Sequence, residues 1–228
     1  MQLQRPKSLK QLALEHLRNS IIDGTLKMGQ TLSERGISDD LGVSKSPVRE
    51  ALAQLSDEGL VIIEPQKGAR VFSLSESEVA QICDFRQVIE AASFELAIAR
   101  NPVALASEMD NIVKDMTKAQ KSGDIRGYLA LDTEFHQAVF KHCGNDYLSA
   151  SYSRYVGKIA ALRTHLSSYP QHTELSFKEH QMLAAAVRKG DMTEVRKHLQ
   201  DHIDRTRNTY SIAVKTTESS GPIPSRSA

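Results

Sequence analysis

The chain has 228 residues, 40% of them hydrophobic and 25% charged, with a formal net charge of +1. That length accommodates two domains, and that composition excludes a globally disordered or membrane-embedded chain. The N-terminal MQLQRPKSLK lacks the apolar core of a signal peptide, no run approaches membrane-spanning length, and Cys83 and Cys143 form no CxxC pair. The expectation is a reduced, cytoplasmic protein with no membrane partner. Residues 1–72 hold ten Lys or Arg against nine Asp or Glu, so any positive surface comes from arrangement, and doubling by dimerisation would reinforce it.

From Lys7 to Asp23 the positions Leu9, Leu12, Ala13, Leu17 and Ile21 recur at helical spacing, and Gly24 stops the helix. Thr31 to Phe72 then reads as a winged helix-turn-helix. Ser33 caps a short helix through Leu41, Gly42 supplies the turn, and Ser44 caps a second helix with Pro47 in its first turn. Val48, Ala51, Leu52 and Leu55 form that helix's packed stripe, leaving Lys45 and Arg49 one turn apart beside it. Gly59 closes the helix, and Leu60–Glu64 and Ala69–Phe72 read as two strands about Pro65-Gln66-Lys67-Gly68, a small β-hairpin wing. A helix whose first turn offers Lys and Arg beside a Ser suits the major groove, where Arg reads guanine O6 and N7. Arg35 and Lys67 suit phosphates, contacts that position rather than specify. The plain alternative is a solvated charged face.

The run LGVSKSPVREALAQLSDEGLVIIEPQKGARV closely resembles the DNA-binding hallmark of the GntR family of bacterial transcription regulators. The resemblance implies a double-stranded DNA operator as partner. Arg35, Ser44, Lys45, Ser46 and Arg49 are then the DNA-facing residues, with Gln66, Lys67 and Gly68 in the wing. Lys45 stands where that family usually has Arg, which favours a point-charge contact over bidentate reading. Met28-Gly29 replaces the usual Pro-Gly, at a cost only in loop stiffness. Gly36 and Ile37-Ser38 replace more helix-prone residues, so a frayed first helix is expected.

Beyond the SLSESE segment, where Ser75 or Ser77 can cap a new helix, almost everything reads as helical. The spans are 78–100, 104–121, 125–142, 147–167, 173–189 and 193–214, separated by turn signals such as Asn101-Pro102, Ser122-Gly123 and Gly190-Asp191. Short links between long helices imply an antiparallel bundle. The expected fold is mainly α: a winged helix-turn-helix over 1–74 and a six- or seven-helix antiparallel bundle over 75–212. Residues 213–228, polar and rich in Ser and Pro, read as a disordered tail.

Polar residues interrupt the bundle's apolar seams. Ile125, Leu129, Asp132, His136, Val139 and Cys143 share one stripe, Phe177, His180, Ala184 and Val187 another, and Val195, Leu199, His202 and Thr206 a third. Each histidine alone reads as hydrogen-bonded core. Together, Asp132, His136, His180 and His202 also fit a divalent metal, which would satisfy buried carboxylate and imidazole at once; Zn²⁺, Ni²⁺, Fe²⁺ and Mn²⁺ all suit such donors, Zn²⁺ and Ni²⁺ foremost. Both readings stand on spacing alone. Asp132, Phe135-His136, Asn145, Glu179-His180, Gly190-Asp191 and His202 further resemble the pattern of the FCD-type effector domain of FadR-like GntR regulators. That likeness implies a metal held by those four residues and a small carboxylate effector beside it.

Arg86, four residues before Glu90, reads either as an intrahelical ion pair or as a guanidinium clamp on that anion. Glu134 and Glu179 are the acidic neighbours in sequence of the candidate ligands, and neither shares its neighbour's seam, so no general base is expected there. His16, His142, His165, His172 and His198 read as surface or ordinary packing. The function expected is a homodimeric, effector-responsive DNA-binding regulator rather than an enzyme. Its rivals are a metal-dependent hydrolase or isomerase of a small carboxylate fused to a DNA-binding module, and a DNA-binding dimer whose bundle only dimerises.

Overall fold

The computed structural model describes residues 6–219, with side chains through residue 212. The described residues group into two compact units, one within 1–74 together with 150–165 and the other within 75–149 together with the described residues from 166 onward. In the first unit, helix α1 (Leu9–Ile22) starts at a capping box between Ser8 and Gln11. It packs on α3 (Lys45–Asp57). The intervening α2 (Glu34–Leu41) is continuous rather than frayed: Ser33 Oγ accepts from the Gly36 N–H at 3.2 Å, and Gly42 ends the helix in the left-handed conformation. These caps anchor both ends of an eight-residue helix that carries the weak formers Gly36, Ile37 and Ser38.

The end of α3 is a Schellman motif. Leu60 N–H reaches the Leu55 carbonyl at 2.8 Å and Gly59 N–H the Ser56 carbonyl at 2.9 Å, with Gly59 at φ 71°. The chain then enters β2 (Val61–Glu64) and returns as β3 (Gly68–Val71), with Ile62 opposite Arg70 and Glu64 opposite Gly68. The wing holds one strand more than the expected hairpin. Thr31–Leu32, β1, pairs antiparallel with the other edge of β3, so the strand order is β1-β3-β2. Residues 150–165 of α7 (Asp146–Leu166) belong to this unit. A Cβ on Gly157 would stand 3.1 Å from Leu60 Cδ1, and the Lys158 ammonium lies 5.5 Å from the Phe72 ring centroid. A glycine inside a helix forfeits about 1 kcal/mol of propensity, which here permits the close approach to Leu60.

The second unit contains α4 (Glu76–Arg100), α5 (Pro102–Ser122), α6 (Ile125–His142), α8 (His172–Lys189) and α9 (Met192–Ser219). Ser75 and Glu78 cap α4 reciprocally. Helix pairs α4·α6, α6·α5, α5·α8, α8·α9 and α9·α4 are all in contact, so the five close into a ring around one interior. Phe94, Met109, Met116, Phe135, Val139, Leu183 and Ile203 fill it. The α6 seam holds from Asp132 to Cys143, but its expected first member, Ile125, is 54% exposed because it opens the helix at the rim. α9 continues to Ser219, past the position where a tail was expected to begin; residues 220–228 of that tail lie outside the described residues. No helix among the described residues is long and apolar enough to cross a membrane.

Candidate functional site

In the first unit, the first turn of α3 presents Lys45, Ser46 and Arg49 as exposed side chains. Ser44 occupies the N-cap position, but its side chain makes no bond to the helix, leaving a hydroxyl beside the orphan amides. Arg49 Nε donates to Glu34 Oε2 at 2.7 Å, bringing the starts of α2 and α3 together. Arg35 lies 3.7 Å from Asp39, Lys67 lies 3.6 Å from Glu64, and Lys45 has no carboxylate partner among the described residues. At the wing tip the Lys67 N–H closes a turn on the Glu64 carbonyl at 3.1 Å, with Gln66 at φ 65° and Gly68 at φ 91°. Pro65 and Gln66 thus take the two central positions of a turn that exposes Gln66, Lys67 and Gly68.

In the second unit, the interior of the helical ring is polar at one place. His136, His180 and His202 are all buried, and one nitrogen of each lies within 4.8 Å of the others. His136 Nε2 and His180 Nε2 are 3.3 Å apart. Asp132, also buried, is 3.9 Å from the first and 3.8 Å from the second. Ser176 donates to Asp132 Oδ2 at 3.3 Å. Three helices thus bring all four expected ligand candidates together.

Two carboxylates that the seams did not reveal set the imidazoles. His136 Nδ1 is 2.7 Å from Glu90 Oε2, and His202 Nδ1 is 2.7 Å from Glu179 Oε2. A carboxylate accepts, so each Nδ1 carries a proton, and in the neutral imidazole that leaves Nε2 a lone pair. His202 Nε2 is buried with no hydrogen-bond partner. Burial, then the neighbouring His180, His136, Arg86 and Arg205, holds His202 well below the usual histidine pKa, so its ring is neutral at pH 7. The arrangement is a set of ring nitrogens from three helices turned toward one point, with a carboxylate beside them.

Arg86 is 1% exposed, so it is no surface ion pair. Its Nε donates to Glu90 Oε1 at 2.7 Å and its Nη2 stands 3.5 Å from His136 Nε2. Glu90 therefore holds a guanidinium with one oxygen and an imidazole with the other. Glu179 is engaged similarly: Arg205 donates to both its oxygens at 2.7 Å, and Arg205 Nη1 reaches the buried His172 at 2.9 Å. Glu90 and Glu179 thus both reach the histidines, with their oxygens committed to imidazole and guanidinium rather than placed to act as a general base. His172 likewise belongs to this network rather than to ordinary packing. The sequence signals were the Arg86/Glu90 and His202/Arg205 spacings, legible only once α4 and α9 are known to flank the histidines.

A winged helix-turn-helix module joined to an all-helical unit with a buried histidine cluster defines the class: a DNA-binding transcription regulator. Residues 9–71 match the family described as bacterial regulatory proteins, gntR family, and residues 81–205 match the FCD domain. The chain belongs to the gntR family of bacterial regulators and carries an FCD domain. A Streptomyces ambofaciens protein named as an uncharacterized HTH-type transcriptional regulator in an unstable DNA locus is 30% identical over 206 residues, 84% of this chain and 83% of its own length. The gluconate operon transcriptional repressor of Bacillus licheniformis is 27% identical over 193 residues, 82% of this chain and 79% of its own. The fold matches the crystal structure of a putative GntR regulator from Rhodococcus sp. RHA1 with a TM-score of 0.80 at 20% identity, over 91% of this chain and 99% of that one. These relatives are named as transcription regulators, and they lend no support to a hydrolase or isomerase.

Proposed function

We propose that this regulator binds its operator as a homodimer and that its operator affinity is set by a small carboxylate held beside a divalent metal in the helical unit. The observation that carries the reading is the convergence of three buried imidazoles, one nitrogen of each within 4.8 Å of the others, with the Nδ1 atoms of His136 and His202 bound to Glu90 and Glu179. Nitrogen donors of a four-coordinate Zn²⁺ stand about 3.4 Å apart, close to the 3.3 Å between His136 and His180. A buried neutral His202 Nε2 without a partner is what a cation would satisfy. Asp132, His136, His180 and His202 would hold the metal, which supplies a Lewis-acid charge for a carboxylate oxygen. Arg86 supplies the second charge for that anion from α4. The Bacillus licheniformis relative is named for a gluconate operon, and a sugar acid carries the carboxylate this pair of charges suits.

On the DNA side, Arg49 is the base-reading residue, with Lys45, Ser44, Ser46, Arg35, Gln66, Lys67 and Gly68 positioning the unit on the duplex. Two copies related by a twofold axis would read two half-sites. Effector control then requires only that the ligand bind one arrangement of the dimer better than another.

The test is metal content by mass spectrometry on untagged protein purified without chelator, wild type beside His180→Ala. Near-stoichiometric metal in the wild type and little in the variant is expected. A folded wild type devoid of metal would refute the metal reading and leave the DNA-binding assignment untouched. Loaded protein is then titrated with small carboxylates while operator affinity is followed, and a change with wild type but not with Arg86→Ala is expected.

A further inference from the structure

The cations on the DNA-facing surface differ in how they are held. Arg35–Asp39 within α2 and Lys67–Glu64 at the wing tip are loose local pairs, at 3.7 and 3.6 Å, in which each cation is 81% exposed. Arg49–Glu34 is different: a 2.7 Å charge-assisted hydrogen bond between two helices, with one donor atom, Nε, on one oxygen, Oε2. At 65% and 39% exposure it contributes little to stability. Its geometric effect is larger. With Nε committed to Glu34, the end-on edge of the guanidinium, Nη1 and Nη2, has no protein partner among the described residues and faces outward as a two-pronged donor. That edge matches the O6 and N7 acceptors of guanine.

Glu34 is itself well fixed, being the first residue of α2, directly after the Ser33 cap, where the helix N-terminus favours a carboxylate. Its negative charge also offsets that of Arg49, which weakens the pull of Arg49 on phosphates at random sequence while leaving hydrogen bonding to a base intact.

We infer that Glu34 is a positioning residue for operator recognition: it holds Arg49 side-on so that the terminal fork reads a guanine, and it suppresses sequence-independent binding by the same arginine. This inference rests on the reading of Arg49 as the base-reading residue.

The test uses full-length protein and the duplex that the wild type enriches from a random library, compared with a scrambled duplex of the same composition. A good bidentate pair contributes discrimination of roughly 5- to 150-fold. Glu34→Ala is therefore expected to lower the ratio of operator to scrambled affinity by about tenfold, mainly through weaker operator binding with scrambled binding equal or tighter. Glu34→Gln, which keeps an acceptor for Nε, is expected to fall between wild type and Glu34→Ala. Replacing the guanine of the enriched site by 7-deazaguanine, which removes N7, should penalise the wild type more than Glu34→Ala. An unchanged ratio, an equal loss on both duplexes, or a Gln variant no better than Ala would overturn the inference. Arg49→Ala separates the two layers. If it keeps full discrimination, the underlying reading of Arg49 fails; if it loses discrimination while Glu34→Ala does not, only the role of Glu34 fails.

Discussion

Replacing Glu90 with Gln removes one charge from the centre of the helical unit while conserving volume, and two contacts determine the consequences. Glu90 accepts from Arg86 Nε with one oxygen and from His136 Nδ1 with the other, both at 2.7 Å, and no part of it reaches solvent. A carboxamide has one acceptor and one donor end. Turned with its NH₂ toward Arg86, it sets donor against donor; turned the other way, it drives the His136 proton from Nδ1 to Nε2. Either way Arg86 is left as a buried charge without its counterion, and breaking a buried pair from one side costs about 3–5 kcal/mol. In a protein of this size that corresponds to a Tm lower by roughly 6–20 °C, at about 2–4 °C per kcal/mol. In the second orientation Nε2 becomes a donor and can no longer ligate, and loss of such an outer contact weakens metal binding about 10- to 100-fold. Thermal unfolding in chelator measures the first effect, and competition with a chromophoric chelator measures the second. Wild-type Zn²⁺ affinity in a folded Glu90→Gln protein would refute the assignment of Glu90 as the residue that sets the His136 tautomer.

Arg49→Ala is expected to lose about 1–3 kcal/mol of operator discrimination in a binding titration while unfolding within about 0.5 kcal/mol of wild type, since the side chain is exposed. Gly59→Ala forces a Cβ into the left-handed cap at φ 71° that closes α3. It should lower the urea midpoint by an equivalent of about 1–2 kcal/mol, and an unchanged midpoint would remove the cap from the account of α3. Acidification should destabilise the chelator-treated protein. His202 is held well below its ordinary value of 6.5 in the folded state, so its contribution is complete above about pH 6.5 and is lost as the pH falls further and the unfolded chain takes up the proton first. Urea unfolding on either side of that pH checks the sign, and greater stability on the acid side would contradict it.

The DNA-binding unit was legible because its signals are local. Ser33, Gly42 and Gly59 each mark a helix end by the backbone conformation they tolerate or the amide they reach, Ser44 stands at the N-cap position of α3, and the stripe from Val48 to Leu55 states which face packs. Thr31–Leu32 was not legible, because two residues have no periodicity and become a strand only by pairing with β3 some forty residues later. In the helical unit, Asp132, His136, His180 and His202 betrayed themselves as polar breaks in apolar stripes. Glu90 did not, since a glutamate four residues after an arginine looks the same in sequence whether the pair is wet or dry. Only the packing of α4 on α6 and α9 turns that pair inward. His172 escaped because it stands at the very start of α8, after Gln171 at φ 60°, where no seam has begun.

The order of contacts around the helical ring also bears on how such a regulator can diverge. The polar centre draws on α4, α6, α8 and α9, whereas α5 closes the ring through Leu105, Met109, Ile112 and Met116 with no polar residue at the centre. Closure by apolar packing and the polar cluster are thus carried by different side chains. A lineage can exchange His136, His180 and His202 for other residues, and the scaffold that presents them survives the change.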